Sequence, residues 1–129
     1  MIEEIWSKVR SVIKQLILPD VEIFCNICCD GKVEDIRIGQ KRKVYGEINP
    51  KSIAWFHSHV RGINANQFSK DDVTIIVNKG DDYVYLGVED DVYGVDISKV
   101  PIMKYVEGKI DLQELTDIIN DARIDLDWE

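Results

Sequence analysis

His57 and His59 are separated by one residue, and their type and spacing suit a chemical role better than any other residues of this chain. They follow the apolar run 53–56, whose composition predicts a β-strand. Side chains alternate faces along a strand, so both imidazoles project from the same side and can bind one metal ion. A hydrolytic zinc site has three protein ligands and one open position. Asp72, from the next predicted element, is the expected third ligand.

Ser69 and Asp72 also have the spacing of a helix N-terminus, with a serine cap and an acidic residue three positions later. The two interpretations are compatible, because the start of a helix can present Asp72 to a metal while Ser69 caps it. Asp71 is a competing ligand if the helix begins one residue earlier. For His57 and His59, the competing interpretation is a polar pair at an exposed sheet end.

The hydrophobic pattern predicts one α+β domain over residues 1–129, with a mostly antiparallel sheet flanked by N-terminal, middle and C-terminal helices. Asp30-Gly31 is a strong hairpin signal, and Gly80 ends the middle helix. Trp55 and Phe56 are expected to fill the core on opposite faces of the sheet. The predicted helices are 2–17, 69–79 and a segment starting at Asp111; the predicted strands are 21–29, 32–38, 42–48, 53–56, 83–88 and 92–97.

The amino-acid composition and the net charge limit the classes of function that this chain is expected to have. Hydrophobic residues at 45% and charged residues at 31% are typical of a soluble globular protein. No apolar run approaches the roughly 20 residues that cross a bilayer, and the acidic N-terminus does not resemble a signal peptide. The net charge of −8 argues against a nucleic-acid partner, since phosphate binding needs a basic surface. The only basic cluster is 41–43, and a cytoplasmic protein is expected.

The three cysteines, Cys25, Cys28 and Cys29, lie within five residues. An odd number in so short a segment does not form a disulfide framework and suits a reducing compartment. Their place in an apolar strand predicts buried side chains. A thiol-based activity is the competing hypothesis, and it requires an exposed thiol of low pKa.

The order of Glu22, then His57-Ser58-His59, then Ser69-Lys70-Asp71-Asp72 resembles the JAMM signature of MPN-domain zinc metallopeptidases, which include deubiquitinase-like isopeptidases. The resemblance covers about residues 1–100 in the order of elements, and it implies a JAMM/MPN-like fold with cytidine-deaminase-like layering. The chain departs from the family in the connection between His59 and Ser69, which is longer here and begins with Val60 in place of proline. Cys25 and Cys29 occupy positions where the family has glycine.

The resemblance implies a role for each residue of the motif. His57, His59 and Asp72 would bind Zn²⁺, Glu22 would act as general base toward the zinc-bound water, and Ser69 would stabilise the oxyanion. The implied function is a zinc-dependent hydrolase of amide or isopeptide bonds in a protein substrate. One candidate substrate is a ubiquitin-like modifier whose extended tail lies near residues 60–68. The alternative is a catalytically inactive MPN-like scaffold or protein-recognition module.

Overall fold

The chain begins with an amphipathic helix that covers one face of a sheet. The structure, a computed structural model, describes residues 1–18, 20–39, 49–60, 62 and 64–129. The predicted strand 42–48 and the basic cluster 41–43 lie outside the described residues. Helix α1 (Ile2–Leu16) buries Ile2, Trp6, Val9 and Ile13, which recur every three or four positions. The predicted helix 2–17 is therefore confirmed.

Six strands form one mixed sheet in the described part of the chain, in the order β2-β1-β3-β4-β5-β6. Strands β3 and β4 are parallel, and every other neighbouring pair is antiparallel. The prediction of a mostly antiparallel sheet is confirmed. The strands are β1 (Ile23–Cys28), β2 (Val33–Ile38), β3 (Ser52–Ser58), β4 (Tyr83–Val88), β5 (Asp91–Asp96) and β6 (Ile124–Leu126).

Among the residues that the structure describes, three further helices pack on the sheet: α2 (Lys70–Lys79), α3 (Ile102–Val106) and α4 (Leu112–Asp121). The predicted middle and C-terminal helices are confirmed, with Ser69 and Asp111 as their N-caps. Gly80 ends α2 at φ 70°, a left-handed conformation that glycine adopts without strain. Helix α3, the 3-10 turn Ile97–Lys99 and β6 were not predicted, since segments this short carry little periodicity. Together these elements form a small α+β domain.

The sheet separates two hydrophobic cores. Trp55 belongs to the core under α2 and α4, and Phe56 belongs to the core under α1, so their predicted placement on opposite faces is confirmed. Trp6 stacks on Phe56 and Tyr85, with ring centroids 5.9 and 5.0 Å apart, and also contacts Trp128. The indole N–H of Trp6 donates to the Asp127 carbonyl at 2.7 Å, which attaches the C-terminal residues to α1.

The parallel pair determines where α2 begins. Strand β3 leads into α2, and α2 returns the chain to β4 alongside β3, which makes a βαβ unit. The N-terminus of α2 therefore lies near the C-terminal end of β3, where His57 and His59 are located. Ligands of α/β sheets bind beyond the carboxyl ends of such strands.

The cysteines differ from one another in exposure. Cys25 and Cys28 are buried in β1, and all three thiols are free. Cys29 is exposed, because β1 ends at Cys28 and Cys29 starts the turn to β2; the prediction of a strand continuing to position 29 was wrong there. None of the helices in the described part of the chain has the length and apolarity to cross a bilayer.

Trp6→Ala should lower the free energy of unfolding by about 3–5 kcal/mol, because it leaves a cavity between α1 and the sheet. Val12→Ala is the matched control, since Val12 lies on the same helix and is 48% exposed. It should change stability by less than about 0.5 kcal/mol. Urea titration followed by circular dichroism measures both, and equal effects would contradict the packing described for Trp6.

Candidate metal centre

The two histidines lie at the end of β3 in the centre of the sheet. His57 pairs with Phe24 of β1 and Leu86 of β4, and its side chain is almost completely buried. His59 follows the strand, and its backbone N–H donates to the Gly87 carbonyl at 2.9 Å, so it continues alongside β4. The two rings are nearly perpendicular, with centroids 4.7 Å apart. They project from the same side, as the strand period predicts.

Asp72 connects both histidines to the start of α2. Its Oδ1 lies 3.0 Å from His57 Nδ1, and its Oδ2 lies 2.9 Å from His59 Nε2. It also completes a capping box, in which the Ser69 N–H donates to Asp72 Oδ2 at 2.9 Å and the Asp72 N–H donates to Ser69 Oγ at 3.1 Å. The capping interpretation of the Ser69–Asp72 pair is therefore confirmed, and the same carboxylate faces both histidines. Asp71 is exposed, and Asp72 is the carboxylate that reaches the histidines.

Glu22 reaches the same place from the strand on the other side of β3. It immediately precedes β1, and its Oε2 lies 3.5 Å from His57 Nε2. Its side chain is 19% exposed, so the carboxylate is sheltered but open to the cleft. His57 thus lies between two carboxylates, with Asp72 on its Nδ1 side and Glu22 on its Nε2 side.

Both nitrogens of His57 are buried and face carboxylates: Nδ1 lies 3.0 Å from Asp72 Oδ1, and Nε2 lies 3.5 Å from Glu22 Oε2. A buried imidazole between two carboxylates is stable only where a proton or a cation balances their charge. Ligand atoms of His57, His59 and Asp72 lie within 4.8 Å of one another. Two imidazoles and one carboxylate are a donor set that zinc accepts, and the residues therefore fit a zinc ion.

The hydrogen bonds of His59 are also compatible with a bound zinc ion. Its Nδ1 lies 2.7 Å from the Ala65 carbonyl oxygen, which can only accept, so Nδ1 carries the proton. A neutral His59 then turns the lone pair of Nε2 toward Asp72 Oδ2. That contact is favourable only when Nε2 is also protonated or when a cation lies between the two atoms. A second ring nitrogen bonded to a backbone carbonyl is the usual support of a metal-binding histidine.

A proton on His57 balances part of the negative charge of the Asp72 and Glu22 carboxylates. Burial alone would lower the pKa of His57, but the carboxylates of Asp72 and Glu22 outweigh burial and raise the pKa to about 9. Burial would raise the pKa of Asp72, and the two histidines instead hold it far below its usual value. Each of these shifts comes from the pairing of His57 with carboxylates and of Asp72 with histidines.

All five predicted site residues line one cleft of about 530 Å³. Its other wall comes from the segment 64–68, including Ala65 and Phe68. A second cleft, of about 590 Å³, shares His59 and Val60 with the first and extends toward Leu18 and Trp128. The structure thus brings Glu22, His57, His59, Ser69 and Asp72 together at one opening.

Sequence reasoning missed three contacts of this site. Trp55 stacks on His57, with ring centroids 4.9 Å apart and planes inclined by 23°. Trp55 lies two residues before His57 in the strand, so the strand period could have placed both side chains on the same face. The Ala65 carbonyl holds His59, and a backbone acceptor carries no signal in a sequence. Asn120 bonds the backbone of Phe68 from a helix 52 residues away, which only the fold reveals.

A second group of potential ligands is less suited to a metal. Cys28, Asp30 and Glu34 offer ligand atoms within 4.8 Å of one another. Burial and the neighbouring Glu34 carboxylate raise the pKa of the Cys28 thiol to about 12, and the thiol donates to Glu34 at 2.9 Å. Burial also raises the pKa of Cys25 to about 12. Neither thiol has the low pKa that nucleophilic thiol chemistry requires.

No protein-family model, curated protein or solved structure matches this chain. The geometry of the cleft and the motif resemblance are therefore what bear on its function.

Metal binding should depend on His57 and Asp72. His57→Ala and Asp72→Ala should each weaken zinc binding by more than the roughly 10–100-fold caused by loss of a residue that only supports a ligand. Asp71→Asn removes a charge from the adjacent exposed residue and should leave zinc affinity unchanged. Competition with a chromogenic chelator and elemental analysis measure the effect, and full zinc content in both alanine variants would place the metal elsewhere.

The stability of the metal-free protein should fall as pH rises from about 6.5 to about 9. The folded-state pKa of His57 is raised to about 9, so its contribution is complete below the unfolded value near 6.5 and is lost through the folded value. Asp72 stays ionised across this window, because its folded-state pKa is lowered. Urea titrations with chelator at several pH values test this, and an identical pH slope in His57→Gln would contradict it.

Proposed function

We propose that this protein is a zinc-dependent hydrolase that cleaves amide or isopeptide bonds. The observation that carries the proposal is the group formed by His57, His59 and Asp72, whose ligand atoms lie within 4.8 Å of one another in an open cleft that Glu22 also lines.

His57, His59 and Asp72 would hold the metal. A zinc ion bound there supplies a Lewis acid that polarises an amide carbonyl and lowers the pKa of a water molecule to about 7. Asp72 is anchored by the N-terminus of α2 and His59 by the Ala65 carbonyl, so two of the three ligands are oriented before any metal binds. The cleft leaves one side of the group open to a substrate.

Glu22 is the proposed general base and general acid. Its carboxylate is outside the group of three ligands, lines the cleft and is partly sheltered from solvent. It takes a proton from water as the water oxygen bonds to the amide carbon, and it delivers that proton to the nitrogen as the carbon–nitrogen bond breaks. The products are a carboxylate and an amine.

Ser69 is the proposed oxyanion donor. Its oxygen accepts the Asp72 N–H, which leaves the hydroxyl hydrogen free to donate, and no acceptor for it lies among the described residues. Ser69 is exposed in the cleft, where it can reach the developing negative charge. Loss of one such donor typically costs about 2.7–4 kcal/mol in the transition state.

The open cleft beside the three ligands suits a substrate that lies across the site in an extended conformation. His59 and Val60 also line the second cleft, which offers a further surface next to the site. A protein with an extended tail is the proposed substrate, and the motif resemblance makes a ubiquitin-like modifier joined to lysine the first candidate to test. The three free cysteines support a cytoplasmic setting.

An inactive scaffold or recognition module is the second candidate, and the structural role of Asp72 favours it. Asp72 caps α2 and contacts both histidines, so these residues also stabilise the fold without a metal. The two candidates differ in their response to zinc. An increase in the melting temperature of the metal-free protein on adding zinc supports the hydrolase, and no increase supports the scaffold.

Glu22→Gln should retain zinc and lose about 10²–10⁴-fold in turnover, because the amide keeps the size of the side chain but cannot accept the proton. A panel of fluorescence-quenched peptides, some linked through a lysine isopeptide bond, provides the assay. Glu114→Gln makes the same change on the exposed first turn of α4 and should leave turnover unaltered. Full activity in Glu22→Gln would remove Glu22 from the mechanism.

A further inference from the structure

Asn120, in the last turn of α4, binds the backbone of the residue that precedes the N-cap of α2. Its Oδ1 accepts the Phe68 N–H at 2.8 Å, and its Nδ2 donates to the Phe68 carbonyl at 3.0 Å. Nδ2 also donates to the Thr116 carbonyl at 3.1 Å, which fixes the side chain against its own helix. One amide group thus satisfies both backbone groups of Phe68, whose side chain is buried.

Arg123 holds the same segment two residues earlier. Its Nη1 donates to the Asn66 carbonyl, while its Nε donates to the Asn120 carbonyl at 2.8 Å. The guanidinium also lies over the Tyr93 ring of β5, 5.1 Å from its centroid. Arg123 therefore joins the segment to the end of α4 and to the sheet.

The segment held in this way carries the groups that orient the metal ligands. Its Ala65 carbonyl accepts His59 Nδ1–H at 2.7 Å, and the N-cap Ser69 contacts Asp72. Asn66, bonded by Arg123, and Phe68, bonded by Asn120, lie between these groups in the sequence. A connection of this length loses considerable conformational freedom when it is ordered, and the contacts of Asn120 and Arg123 offset this cost.

We propose that Asn120 and Arg123 are positioning residues of the metal centre. They act through the backbone of 65–69: they hold the Ala65 carbonyl where it selects the Nδ1–H tautomer of His59, and they keep the cap of α2 at the end of β3. The importance of these two residues for catalysis rests on the proposed function. The positioning of the His59 ring can be measured without a metal.

Asn120→Ala removes both bonds to Phe68 and should weaken zinc binding by about 10–100-fold, as loss of a residue that orients a ligand does. Asn120→Asp keeps the acceptor for the Phe68 N–H but cannot donate to its carbonyl, so its affinity should be intermediate. Gln113→Ala is the control on the exposed face of α4, where the Gln113 side chain donates to Asp117, and it should bind zinc normally. Arg123→Gln keeps a polar side chain, removes the cation and should also weaken binding.

A structural role alone would lower the melting temperature and leave zinc affinity unchanged. The readout that separates the two roles is the tautomer of His59, measured by nitrogen-15 NMR of the histidine rings in metal-free protein. In the neutral His59 ring of the wild type the proton should lie on Nδ1, and the neutral ring of Asn120→Ala should show a mixture of tautomers. An unaltered His59 tautomer together with unaltered zinc affinity, in folded Asn120→Ala, would overturn the inference.

If the proposed function is wrong, the same experiments give a different set of results. Wild-type protein that binds no zinc would remove the hydrolase, and the tautomer of metal-free Asn120→Ala would then decide positioning alone. A mixture of tautomers in that variant would still support the positioning of His59 by α4, and retention of the single wild-type tautomer would overturn it.

Discussion

The carboxylate of Asp72, held between two imidazoles, is the interaction on which the rest of this site depends. It contacts His57 at 3.0 Å and His59 at 2.9 Å, and it accepts the backbone N–H of Ser69. A buried carboxylate is costly unless it is paired and hydrogen-bonded, and Asp72 is both. The end of β3 and the start of α2 are therefore constrained to lie together.

The fold supplies this constraint through the parallel pairing of β3 with β4. The crossover from β3 through α2 to β4 brings the N-terminus of the helix to the C-terminal end of the strand. The partial positive charge of that N-terminus favours an anionic residue such as Asp72. The neighbouring antiparallel strand β1 brings Glu22 to the opposite side of His57. Two cores, one on each face of the sheet, keep these strands in register.

The site also concentrates charged groups in a buried position. His57 lies between the carboxylates of Asp72 and Glu22, and the Ala65 carbonyl orients His59 so that its Nε2 faces Asp72. Local rules of stability are commonly violated at functional sites, where other interactions in the fold compensate. Asp72 contributes to that compensation, because it also caps α2.

Local patterns in the sequence determined the parts of this protein that depend on neighbouring residues. The two-residue period of a strand placed His57 and His59 on one face, and the three-residue spacing of Ser69 and Asp72 predicted the cap. Only the tertiary structure decided that β3 pairs parallel with β4, that the Ala65 carbonyl orients His59 and that Asn120 holds Phe68. These contacts join backbone groups and side chains from different elements. Sequence periodicity reports which face a side chain occupies, and the packing of whole elements decides what that face meets.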